Sequence, residues 1–197
     1  MLETLLTSNE WSAARFYFSV AARDVQRRAD GRRLRTLLDR VPAEVLDAPE
    51  WQEPRVWVAY RAGDGALLRD IVTMYPRLFP GFEAYLGAWH EPWPAVLERA
   101  EDALVGDVSD LERVVAARFR AVALAQLHHL DWEVAFQEAL ARPQSDRDRG
   151  LLHLEFGHQL VSAGQEAAAR DAWAQAATYL KGDVWALTQA YSNLGIS

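Results

Sequence analysis

Apolar residues recur three and four positions apart along nearly the whole chain, the spacing that gathers them on one face of an α-helix. No alternating Val/Ile/Thr run closes on a hairpin turn. Asp64-Gly65 is the nearest such signal, and helical patterns flank it on both sides. Breaks at Asp30-Gly31, Pro42, Gly63-Asp64-Gly65, Pro76, Pro80-Gly81 and Pro143 divide the pattern. Between them the spacing predicts helices over about 8–29 (capped by Ser8), 32–41, 52–62, 66–75, 82–90, 94–105, 109–129, 132–141, 147–163, 165–180 and 184–196. The fold class expected is all-α, with about ten or eleven helices paired antiparallel by short turns.

The pairs resemble one another. Residues 90–104, "HEPWPAVLERAEDAL", overlay 129–143, "HLDWEVAFQEALARP", so that His90 falls on His129 and Trp93 on Trp132. Residues 62–72 and 163–173 share a glycine turn followed by Arg-Asp, and Gly157 has a counterpart at Gly195. Hairpin repeats of about 34–40 residues predict an α-solenoid. We expect one helical-repeat domain over 1–197, divergent over 1–106 and clearer over 107–197.

The stretch 156–173, "FGHQLVSAGQEAAARDAW", resembles the tetratricopeptide (TPR) repeat. Phe156, Gly157 and Leu160 match the family's large, small and large positions on its first helix. Gly164 matches the turn, and Ala169, Trp173 and Ala176 match the second helix. At the first aromatic site this chain has His153. Small residues belong where antiparallel helices approach to about 8–10 Å, which offsets the helix cost of Gly157. Over 110–141 Ala123 and Ala135 are the expected small positions. Residues 37–71, with their proline-bearing link and following hairpin, resemble the repeats of MalT-like bacterial transcription regulators.

Charge and chemistry narrow the function. The net charge is −7, yet the segment 15–40 carries eight arginines against three acids. Within it Arg27, Arg28, Arg32, Arg33 and Arg35 form a cluster suited to an anion or an acidic partner, or a solvated basic face. The acidic balance argues against direct nucleic-acid binding. There is no cysteine, so no disulfide or thiolate chemistry. Glu155 and His158 have the Glu-x-x-His spacing of carboxylate metal sites, but no second copy accompanies them. No phosphate loop, nucleophile elbow or zinc-protease motif is present, and we expect no enzyme, cofactor or metal. Trp132 and Trp173 are expected in the core, and Trp51, in its proline-flanked link, on the surface.

The TPR resemblance implies a protein- or peptide-binding scaffold whose concave face is lined by first helices. On this chain that face is Arg120, Leu124, His128, Leu151, Leu154, His158 and Ser162. The MalT-like resemblance implies an alternative, a sensor module of a regulator whose DNA-binding domain lies elsewhere. No signal-like start or membrane-spanning run is visible, and a cytoplasmic location is expected. The apolar helix over 184–196 calls for either a following helix or a second copy. Our expectation is that the repeats continue, with Gly195 placed to meet the next helix.

Overall fold

The computed structural model describes residues 1–25, 27–75 and 78–195. It is all-helical: 13 α-helices and one 3-10 turn, with no strand among the described residues. The chain divides into two compact units, Met1–Tyr75 and Pro76–Ser197, where one helical-repeat domain was expected. Residues 80–105 pack onto the helix Asp110–Gln126 and so belong with the second unit. Of the expected breakpoints, Pro76 lies outside the described residues, as does the Ile196 end of the last predicted helix.

In the first unit, α1 (Leu2–Thr7) and α2 (Trp11–Arg23) precede α3 (Arg28–Leu38), a short α4 (Ala43–Leu46) and the 3-10 turn Pro49–Trp51. A hairpin follows, α5 (Gln52–Ala62) and α6 (Gly65–Met74). Every residue of α5 from Val56 to Ala62 is buried, and α2, α3 and α6 all pack on it. A helix covered on all sides belongs at the centre, even one that carries Arg61 among its buried residues. Trp51 is 3% exposed and meets Phe18 edge-on at 6.0 Å, so the link expected on the surface is pinned into the core.

Two local expectations fail here for physical reasons. Ser8 does not start a helix. It ends α1, and its hydroxyl donates back to the Thr4 carbonyl at 3.0 Å. Gly31 does not break one. It lies inside α3, where an added Cβ would sit 2.4 Å from the Arg61 carbonyl oxygen. The glycine marks the contact of two helix backbones rather than a turn.

The second unit comprises α7 (Pro80–Gly87), α8 (Trp93–Val105), α9 (Asp110–Gln126), α10 (Trp132–Ala141), α11 (Asp146–Ser162), α12 (Glu166–Tyr179) and α13 (Val184–Leu194). Helices α9–α10 and α11–α12 form antiparallel hairpins, α9 packs on α11, and α13 packs on α12. Both α9 and α11 have 17 residues, and Ser109 and Ser145 cap them, so the register between the first helices is 36 residues. In that register Ala121, fully buried, takes the place of Gly157, where Ala123 was expected. The second helices start 34 residues apart, Trp132 against Glu166, because the turn of the earlier hairpin is longer.

Gly157 and Trp173 meet as the pattern requires: a Cβ on Gly157 would lie 2.3 Å from the Trp173 indole nitrogen. Phe136 and Phe156 stack at 4.9 Å, and Trp132 meets both edge-on, joining the core of one hairpin to the next. The turns recur in detail. Gly63 and Gly164 are both left-handed, at φ 70° and 77°. Each is followed by a residue whose N–H reaches five residues back, Asp64 to Ala59 and Gln165 to Leu160. His128, φ 54°, makes the same turn without glycine, and His129 bonds back to Leu124. Gly195 is a left-handed helix end as well, not a second Gly157.

Candidate interaction surfaces

The seven residues expected on a concave face do not form one. Leu124 and Leu154 are 4% and 3% exposed and belong to the core, because the facing helices close over them. Leu151 is half-buried against the same cluster as Leu154. Arg120 lies between Glu138 at 3.1 Å and Glu101 at 3.6 Å, so two carboxylates neutralise it. His158 is exposed but engaged: its Nε2 is 2.8 Å from Asn193 Nδ2 on α13, and its ring meets Trp173 edge-on at 5.9 Å.

His128 and Ser162 do share a surface. They line an open hollow of about 420 Å³ with Gln126, His129, Trp132 and Gln159. Gln126 donates to Gln159 at 3.0 Å across the floor. Leu130, on the rim, is 95% exposed. Sequence reasoning missed Leu130 because it occupies the turn, where helical periodicity says nothing about which way a side chain points.

The basic cluster is divided among jobs. Arg28 donates to the Ala62 carbonyl at 3.4 Å and lies over Gly63, where it would meet an added Cβ at 2.4 Å. Arg35 bonds Asp64 at 2.9 Å and pairs with Asp39 on its own helix. Burial works against the Arg35 charge, but the two carboxylates outweigh it and hold its pKa above the ordinary value. Arg33 is 3.6 Å from Glu3, while Arg27 and Arg32 are exposed. The five arginines therefore form no single anion-binding patch: Arg28 and Arg35 hold helices together.

Glu155 and His158 lie 3.9 Å apart. Burial pushes the Glu155 carboxyl up, but His158 and Arg118 outweigh it and hold it below its usual range. Among the described residues no three His, Asp or Glu side chains gather into a group able to hold a metal. No described helix is long and apolar enough to cross a membrane. The exposed tryptophans are Trp89 at 77% and Trp185 at 58%, not Trp51.

No protein-family model, no curated protein and no solved structure matches this chain.

Proposed function

We propose that this chain is a non-enzymatic, cytoplasmic scaffold of TPR-like hairpins that binds a protein or peptide segment and also associates with itself through α13. One observation carries the binding reading. The hollow between the α9–α10 turn and the end of α11 combines amide and imidazole groups with the aliphatic Leu130 on its rim. Hydrogen-bonding groups beside an exposed apolar anchor suit an extended peptide, whose backbone and side chains make both demands. Rigid hairpins on either side lower the ordering cost of binding.

The test is selection from a random-peptide display library on the purified protein. Selected peptides should lose about tenfold or more in affinity on Leu130→Asp or His129→Ala, the scale of an anchor residue. They should also slow amide exchange over 126–132 and 159–163. Peptides that ignore both substitutions would refute this site.

A further inference from the structure

Glu133 belongs to two concavities at once. It lines the hollow at the α9–α10 turn, and it lines one end of a second, open groove of about 330 Å³. Helices α10 and α12 both pack on α11 and leave this groove between them, with His153, Phe156 and Leu160 of α11 along its floor. Ala168 and Ala172 stand on the α12 wall, where larger side chains would close the gap. Gln165 donates to Glu133 at 2.7 Å at the end where groove and hollow meet. From Glu133 to Leu140 the groove follows α10 for about 10 Å, the reach of roughly three extended residues.

Charge and hydrogen bonding identify the occupant. The whole net charge of −7 lies in the second unit, which has 17 acidic residues against 10 basic, while the first is balanced at 11 and 11. Neither the groove nor the hollow is lined by a lysine or an arginine. Glu133 accepts from a neutral amide, which leaves its charge uncompensated. Among the described residues neither it nor Asp171, on the opposite wall, has an ion pair. Two uncompensated carboxylates beside an apolar floor favour a cation carried on an aliphatic stem over an acidic or uncharged partner. Gln137 and Gln175 add one amide to each wall, and each can both donate and accept, as a peptide backbone requires.

We propose that the peptide seated in the hollow continues into this groove and is basic, with an apolar side chain over Phe156 and Leu160 and lysine or arginine side chains against Glu133 and Asp171. This rests on the peptide-binding reading above, and the experiment separates the two. Peptides of about ten residues, selected from a random display library at about 50 mM salt, should carry Lys and Arg about threefold above the unselected library. That enrichment should vanish on the protein carrying Glu133→Gln and Asp171→Asn together. The tightest selected peptide, followed by fluorescence anisotropy, should lose about threefold on either substitution alone, and less at about 500 mM salt, where exposed charges are screened. Ala168→Trp fills the groove without touching the hollow and should cost about tenfold at either salt. Ala168 and Asp171 are exposed, and Glu133→Gln keeps the acceptor for Gln165, so melting should stay as in the parent. Peptides that answer to Leu130→Asp but not to Asp171→Asn or Ala168→Trp keep the hollow and overturn the groove. Peptides that answer to none of these overturn both, and those that answer only to the groove substitutions overturn the hollow and the continuity. Enrichment in acidic or uncharged residues overturns the basic partner.

Discussion

The two units close their helix ends in different ways. In the first, long side chains reach the carbonyls that helix C-termini leave without partners. Buried Arg61 bonds the Ala22 carbonyl at 3.1 Å, Arg28 reaches Ala62, and Arg55 and Gln52 both reach Leu46, at 3.0 and 2.9 Å. The second unit has such reaches too, Gln144 to Ala139 at 2.9 Å and Arg113 to Gly106 at 3.2 Å, but there short side chains also satisfy N-terminal N–H groups on three helices. Ser109 accepts from Glu112, Ser145 from Asp148 and Asp183 from Ala186. Among the described residues of the first unit Asp64 is the one cap of that kind, bonding Leu67 at 3.1 Å. An N-cap acts three residues away and is copied whenever a repeat is copied. A bond such as Arg61 to Ala22 spans 39 residues and arises once. The second unit therefore looks repetitive and the first does not.

The largest effects should come from the buried arginines. Arg61 is 2% exposed, and Arg147 bonds Asp183 at 3.0 Å with both side chains buried. Arg61→Ala leaves a cavity and an unmet carbonyl, and Arg147→Ala strands a buried carboxylate. Each should cost about 3–5 kcal/mol in urea unfolding. The contrast lies in rescue. Adding Asp183→Ala to Arg147→Ala should recover part of the loss, because the second change removes the stranded charge. Arg61→Ala leaves the Ala22 carbonyl, a backbone group that no substitution removes. Equal behaviour of the two would remove the distinction between the units.

Next come the buried glycines. Gly31→Ala and Gly157→Ala should each cost about 1–3 kcal/mol from overpacking, despite the gain in helix propensity. Gly31 faces backbone, so its loss should persist in every side-chain background. Gly157 faces an indole, so Trp173→Leu should make Gly157→Ala nearly neutral. The caps follow: Ser109→Ala and Ser145→Ala should each lose about 1 kcal/mol, adding independently because they cap different helices.

That ranking also shows what was legible in the sequence. Helix periodicity and the Gly157–Trp173 pairing follow from local spacing, and both appear as expected. Gly31 did not, because a glycine meeting another backbone and a glycine ending a helix look alike without the partner. The arginines misled for a related reason. "RRADGRRLR" displays its charges, but the Ala62 carbonyl that Arg28 reaches and the Asp64 that Arg35 bonds are in a hairpin about 30 residues on. Leu124 and Leu154 were placed on a binding face because one helix alone does not show how many neighbours it has. Leu130 carries no periodic signal at all.

The smallest predicted effects are in pH, and they separate the units by window. In the first unit, burial raises the Asp64 pKa, but the Leu67 N–H and Arg35 outweigh it and hold the carboxyl below its ordinary 3.8. A depressed carboxyl contributes stability above its unfolded pKa and loses it as pH falls through the folded value. Asp64→Asn keeps an acceptor for Leu67 and should flatten the stability profile only below about pH 4, by less than about 1 kcal/mol, because the pair is partly exposed. In the second unit, burial and then the Arg149 charge lower the His153 pKa from its ordinary 6.5. The unfolded chain then binds the proton first, so stability is full above about 6.5 and falls as pH drops from there toward the folded pKa. His153→Gln should flatten the profile in that higher window and leave the region below pH 4 as it was. Stability measured from pH 3 to 8 in both variants checks the pair. If His153→Gln acts only below about pH 4, the half-buried ring stacked on Tyr179 is not held neutral, and the second unit's acid response belongs to its carboxylates instead.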